Sequence, residues 1–145
     1  MSMYPVMINI QEKPVVVIGG GLVASRKIKT LLEAGAHVTV VSPTLHDMID
    51  ATRVHWIDRP YQTGDLDQAK LVFACTDQEA INRQVMEDAH PSQLVNNTGD
   101  KHFSDFYNVA IARAKDFSVM ISTNGLSPAR SKEIRRKLET ILDEL

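Results

Sequence analysis

Three small residues carry the strongest chemical signal in the chain. Gly19, Gly21 and Ala24 stand in the spacing G-x-G-x-x-A, directly after the apolar run Val15-Val16-Val17-Ile18 and directly before a helical pattern. Strand, tight turn and helix in that order form the setting in which such residues hold a pyrophosphate. Gly19 permits the sharp turn. Gly21 lets a phosphate approach the backbone without meeting a Cβ, and Ala24 lets the helix pack close to the strand. The unpaired N–H groups and positive dipole end of the helix then face the phosphates. The plain alternative is a glycine-rich strand-to-helix turn with no ligand.

Other candidate groups stand at the ends of other apolar segments. The second strand runs into Ser42-Pro43-Thr44, where NAD-binding proteins of this topology usually carry an acid for the ribose hydroxyls. Ser42 offers that ribose a weaker hydrogen bond. No Arg follows to receive a 2′-phosphate, so NAD is favoured over NADP. Further on, Asn96-Asn97-Thr98-Gly99-Asp100 leaves a carboxylate just past a strand end. Asp100 could accept a proton there beside a cofactor, or it could belong to an ordinary Gly-Asp turn.

The segment Ser122-Thr123-Asn124-Gly125-Leu126-Ser127-Pro128 offers hydroxyls, amides and a helix start, followed by Arg130, Lys132, Arg135, Arg136 and Lys137. A carboxylate-rich ligand would suit that surface; so would plain solvation of a basic helix. His37, His46, His55, His90 and His102 show no metal-ligand spacing, so no metal is expected. No nucleophile elbow or Ser-His-Asp order is present.

The elements that must position these groups follow from periodicity. Val6 to Ile10 reads as a short edge strand and Val15 to Ile18 as a central parallel strand. Residues 22–34 form a helix whose stripe is Ala24, Ile28, Leu31 and Leu32, with Gly35 just past its end. Strands follow at His37–Val41, Val54–Ile57, Lys70–Cys75 and from Leu94. A short helix is expected around Leu45, Met48 and Ile49. Thr76-Asp77-Gln78-Glu79 has the pattern of a capping box, opening a helix with Ile81, Val85 and Ala89.

This succession implies a Rossmann-like α/β fold with a doubly wound, mostly parallel sheet. Its C-terminal strand ends, carrying Gly19–Gly21, Ser42-Pro43, Thr76-Asp77 and Asn96–Asp100, should converge on one crevice. After residue 100, the segment from Phe103 to Ile111 fits a helical stripe, and Phe117 to Ser122 alternates like a strand. The last helix is N-capped by Ser127 with Pro128 at its first position. Its stripe is Ile134, Leu138, Ile141, Leu142 and Leu145.

Bulk properties set bounds. The chain has 145 residues, a net charge of −2 and 43% hydrophobic residues, which fits about one soluble domain with a real core and gives no reason to expect nucleic acid or an anionic membrane as partner. A single cysteine, Cys75, excludes an internal disulfide and fits a reducing cytoplasm. The start Met1-Ser2-Met3-Tyr4-Pro5 lacks the features of a signal peptide, and no apolar run is long enough to span a membrane.

Taken together, these motifs resemble the precorrin-2 dehydrogenase family, the dehydrogenase module of siroheme synthesis. The likeness rests on Tyr4-Pro5, on Val17-Ile18-Gly19-Gly20-Gly21-Leu22-Val23-Ala24-Ser25-Arg26-Lys27, on Leu32-Glu33-Ala34-Gly35-Ala36, and on Val40-Val41-Ser42-Pro43. It continues through Ala74-Cys75-Thr76-Asp77, Asn82, Leu94-Val95-Asn96, Asp100, Phe106, Ile121 to Pro128, and the helix with Arg135, Lys137, Leu138 and Glu139. It covers nearly the whole chain.

The resemblance implies NAD-dependent oxidation of precorrin-2, a tetrapyrrole edged with acetate and propionate groups, to sirohydrochlorin. Some relatives also insert ferrous iron; a non-catalytic NAD-sensing module is the alternative from another class. The resemblance further implies an NAD-binding domain over residues 1–100. Residues 101–145 would then form a dimerising antiparallel strand extension and a basic C-terminal helix. On this ground the strand reading of the segment from Phe106 to Ser122 is adopted over the helical one.

The dinucleotide would be held by Gly19, Gly21, Leu22, Val23, Ser42, Pro43, Thr44 and Thr76. The substrate would be held by Asn96, Ser122, Ser127 and Arg130, with Asp100 as general base and Asp105 as the fallback. The chain departs from the family in three ways. Many relatives carry the acid where Gly99 stands. Val109 replaces a usual proline. Relatives also continue into a further helical domain, so a trimmed or short form with a more open site is expected.

Overall fold

The computed structural model describes residues 2–145. Strand β1 (Pro14–Ile18) lies at the centre of a five-stranded parallel sheet, paired with β2 (His37–Val41) on one side and β4 (Leu71–Ala74) on the other. The outer strands are β3 (His55–Ile57) and β5 (Leu94–Asn97), giving the order β3-β2-β1-β4-β5. Successive strands therefore run outward one way from β1 and then outward the other way, so the order reverses between β1 and β4, the place where such sheets bind ligands. The register pairs Ile18 with both Val41 and Ala74, Val41 with Ile57, and Ala74 with Asn97. All five C-terminal ends thus share one edge.

Side-chain alternation along β1 divides the core into two layers. Val15 and Val17 join Ala24, Ile28 and Leu31 of α1 (Leu22–Glu33), with Val38, Val40 and Phe73. Val16 and Ile18 join Val72, Val95, Leu66 and Val85, the last from α2 (Glu79–Asp88). A central strand covered on both faces must be apolar at every position, which is why Val-Val-Val-Ile shows no alternation. Helix α1 closes as a Schellman motif. Gly35 takes φ +81° and donates to Leu32 O, while Ala36 N donates to Leu31 O.

The remaining elements are the antiparallel hairpin β6 (Ala110–Arg113) and β7 (Ser118–Ile121), and helix α3 (Pro128–Glu139), which packs mainly on β6. Met7–Tyr107 forms one compact unit; Asn108–Leu145, with residues 2–6, forms a second. The fold class read from the sequence is the one observed, and among the described residues no helix is long and apolar enough to cross a membrane.

Four local expectations need correction. Val6 to Ile10 is not a strand: Val6, Met7 and Ile8 are exposed and the sheet ends at β3 and β5. The segment is instead anchored at its end, where Ile10 is buried in the core and Glu12 N, two residues on, donates to Gly35 O. No helix spans Leu45 to Ile49. There the His46 ring accepts from Met48 N, and a single 3-10 turn follows at Ala51–Arg53, capped by Asp50. Thr76 does not cap α2; the N-cap is Gln78, with no side-chain bond. Finally, α3 stops before Leu145. Thr140 and Ile141 switch to i−3 bonds, and the 3-10 turn Leu142–Glu144 buries Leu142 while leaving Ile141 and Leu145 exposed.

Candidate functional site

The glycine turn is built by three different constraints. Gly19 has φ +114°, and a Cβ there would lie 2.7 Å from the carbonyl oxygen of Cys75. A Cβ on Gly20 would lie 2.1 Å from Thr44 O, and Gly20 O accepts from His46 N at 2.6 Å. Gly21 is the opposite case: nothing lies within 4 Å of the position its Cβ would take. It is also the N-cap of α1, with no side-chain cap and no acid in the first turn. The first intrahelical bond is Ser25 N to Gly21 O, so the amides of Leu22, Val23 and Ala24 have no acceptor within the helix. Open space in front of three such donors is a fitting seat for a phosphate pair. Leu22 and Val23 are exposed on either side of it.

At the end of β2, Ser42 is buried. Its N–H donates to Ile57 O, its carbonyl accepts from Trp56 Nε1 at 2.8 Å, and its Oγ accepts from Thr44 N at 3.4 Å. Ser42 therefore braces the loop against Gly20, while Pro43 and Thr44 form its exposed surface.

Beyond β4 and β5 lies a cavity of about 250 Å³, whose walls include Thr76, Asn82, Arg83, Asn97, Asp100 and Phe103. Thr76 N is only 3.1 Å from the Cβ position of Gly19, so the glycine turn and this cavity share a wall. Asn82, buried on α2, fixes that wall. Its Oδ1 accepts from Thr76 N (3.1 Å) and from the Thr76 hydroxyl (2.7 Å), and its Nδ2 donates to Thr76 O (3.0 Å). The Asn82→Ala variant should lose roughly 2 kcal/mol of stability, because it leaves the paired backbone groups of Thr76 unsatisfied. A urea melt checks this, and an unchanged midpoint would remove Asn82 from the frame.

Asp100 also lines the cavity. Its Oδ1 accepts from His102 N at 2.9 Å, and its carbonyl accepts from Phe103 N. Asp105 is engaged elsewhere. Its carboxylate accepts from Val95 N and its own N–H donates to Val95 O, both at 2.8 Å. With Ser104 Oγ accepting from Asn97 N, it covers the open edge of β5. Asn96 is buried and does not line the cavity; its neighbour Asn97 does, accepting from Gly99 N. Burial pushes the Cys75 thiol up to about 11, with Lys27 opposing only in part, so the thiol stays protonated at neutral pH and is no nucleophile.

The remaining sequence-predicted residues belong to the second unit. Ser127 Oγ accepts from Arg130 N, capping α3, and Thr123 Oγ1 accepts from Ser127 N. Ser122 Oγ accepts from Asn124 N. Glu133 lies between Arg130 (3.4 Å) and Lys137 (3.3 Å), and its carboxyl is held below the usual range by Lys137 first and Arg130 second. The basic helix thus neutralises part of its own charge.

The sequence reading missed Gly20, Asn82 as a brace, and the pair Arg83 and Phe103. A polar Asn82 between Ile81 and Val85 on the apolar face of α2 was the available signal for one of them.

Comparison with known proteins agrees with this geometry. Residues 6–110 match a family described as putative NAD(P)-binding, and residues 116–140 match the sirohaem biosynthesis protein central family. The precorrin-2 dehydrogenase of Bacillus subtilis is 33% identical over 97% of this chain and 90% of its own length. A solved structure titled SirC, precorrin-2 dehydrogenase, superposes with a TM-score of 0.88 at 31% identity, covering 98% of this chain and 72% of that one. Siroheme synthase 1 of Cronobacter sakazakii is 35% identical, but the chain spans only 31% of its length. With the dinucleotide cradle, the strand order and the hairpin-plus-helix unit all in place, the chain belongs to the precorrin-2 dehydrogenase family.

Proposed function

We propose that this protein oxidises precorrin-2 to sirohydrochlorin with NAD as the acceptor. The observation that carries the reading is the open seat at Gly21, on a glycine turn that shares a wall with a polar cavity beyond β4 and β5 through Gly19 and Thr76. When bound, NAD would supply the oxidation as the hydride acceptor. The protein's own residues do the rest. The amides of Leu22, Val23 and Ala24 bind the phosphates, and Leu22 and Val23 cover them with apolar surface. Pro43 and Thr44 border the adenosine half. Thr76, held by Asn82, fixes the wall between cofactor and substrate. Asp100 accepts the proton that leaves the macrocycle as the hydride departs. Positioning of the macrocycle against the cofactor is the main source of rate.

The same reading gives the first unit to the dinucleotide and the second to dimerisation, supported by the exposed Phe117 and Met120 on and beside β7. Ser122, Ser127 and Arg130 are its proposed substrate contacts in that unit. A cytoplasmic setting rests on the single reduced cysteine.

Two measurements test the proposal. Anaerobic mixing with NAD and precorrin-2 should produce NADH and a more conjugated product. NAD binding without either would leave a sensor module and overturn the reading. Trp56, the only tryptophan, donates to Ser42 O beside the proposed adenosine site. Titrating NAD should therefore change its emission saturably, and the Trp56→Phe variant should bind NAD with no such signal. A silent Trp56 at saturating NAD would move the adenosine away from Ser42.

A further inference from the structure

We propose that Arg83 binds a side-chain carboxylate of the tetrapyrrole at the mouth of the cavity beyond β4 and β5. The inference rests on the function proposed above and adds a residue to its substrate site.

Arg83 projects from α2 and is the one cation among the residues lining the cavity; Asp77, Glu79 and Asp100 are its acids. A polyanionic substrate meeting three carboxylates needs a counter-charge to fix which of its groups enters. The local alternative for Arg83 is an ion pair with Glu79, four residues earlier on the same helix and in the favourable acid-first order. That pair is not made: among the described residues Arg83 forms no ion pair within 4.0 Å. Its guanidinium instead lies over the ring of Phe103, with Cζ 5.2 Å from the centroid. A guanidinium resting on a ring, with no acid paired to it, still has N–H donors to offer, and their planar fork matches a carboxylate in bidentate fashion. Phe103 is in turn fixed by its N–H donating to Asp100 O. The carboxylate anchor and the proposed base are therefore joined through one short loop.

A phosphate of the dinucleotide is the other anion Arg83 could meet, and the experiment separates the two. The Arg83→Ala and Arg83→Lys variants of the full chain are compared with the parent in KM and kcat for precorrin-2. The Kd for sirohydrochlorin is followed by absorbance, and the Kd for NAD by Trp56 emission. Arg83→Ala should raise KM and the sirohydrochlorin Kd about tenfold, the size of one charge-assisted contact, with kcat little changed. Arg83→Lys should recover only part, because an ammonium lacks the planar fork. Fully esterified sirohydrochlorin should bind parent and Arg83→Ala alike, and the NAD Kd should stay within about twofold.

Unchanged KM and sirohydrochlorin Kd would overturn the assignment, as would an equal loss with the ester. A loss confined to NAD would give the contact to a phosphate and overturn it too. Failure of the parent to turn over precorrin-2 would sink the proposed function itself, a result read separately from any variant.

Discussion

Replacing Gly21 with aspartate is expected to weaken NAD binding by roughly 100-fold or more, about 2.7 kcal/mol, while leaving the fold intact or slightly more stable. The two effects separate because the site is open. Gly21 has φ −86°, a conformation any residue adopts, and its Cβ direction meets nothing within 4 Å. It is the N-cap of a helix with no side-chain cap, so an aspartate there gains a capping bond and a favourable dipole contact. The same carboxylate fills the phosphate seat with negative charge and occupies the amides that would bind the pyrophosphate. The control is Gly20→Ala, whose new methyl would lie 2.1 Å from a backbone carbonyl oxygen and must push the loop from Ser42 to His46 away. That variant should lose stability first and binding as a consequence. Calorimetric NAD titration beside a thermal melt distinguishes the two. Parental NAD affinity in a folded Gly21→Asp variant would mean that the cradle is not the cofactor site.

The contrast between these neighbouring glycines marks how much was legible in the sequence. The G-x-G-x-x-A spacing and the unbroken Val15–Ile18 run identify the central strand, the turn and the helix, because a strand buried on both faces and a helix packed close to it each leave a local signature. The need for Gly20 has no local signature. It arises from Thr44, which lies on the loop after the next strand and reaches the turn only once β1 and β2 have paired.

The same holds for Thr76. Its capping-box spacing was readable, but the helix begins later, at Glu79, and the Thr76 hydroxyl serves the turn before it, donating to Asn82 Oδ1 and accepting from Gln78 N. Arg83 over Phe103 joins helix α2 to the loop after β5, brought together by the pairing of β4 with β5, and no sequence period relates them. At the chain end the apolar stripe continued past the helix. Periodicity does not register a switch to i−3 bonding at Thr140 and Ile141, which turned Leu142 inward and Leu145 out. What the sequence displayed was what each element does alone. The cavity walls come from contacts between elements distant along the chain.

Asp100→Asn is expected to lower kcat by roughly 10²–10⁴ with NAD affinity spared, the range for removing a positioned general base. Three positions bear on that role, the carboxylates Asp100 and Asp105 and the glycine at 99, and their surroundings rank them. Asp105 is committed to Val95 on both sides of its backbone and side chain, closing the edge of β5. Asp105→Ala should therefore lower stability and leave kcat of the folded fraction unchanged. Position 99 is a glycine here, and a Cβ on it would lie 3.0 Å from Asn82 Nδ2. A side chain at 99 would press on the amide that holds Thr76. Of the two carboxylates, Asp100 alone lines the cavity, with one carboxylate oxygen held by His102 N. Asparagine keeps that acceptor oxygen and the shape of the loop, so the substitution removes basicity and little else. Stopped-flow turnover of precorrin-2 at saturating NAD reads the outcome. Full turnover in Asp100→Asn would take the carboxylate out of the chemistry, and a kcat loss in Asp105→Ala at equal folded concentration would transfer the role to Asp105.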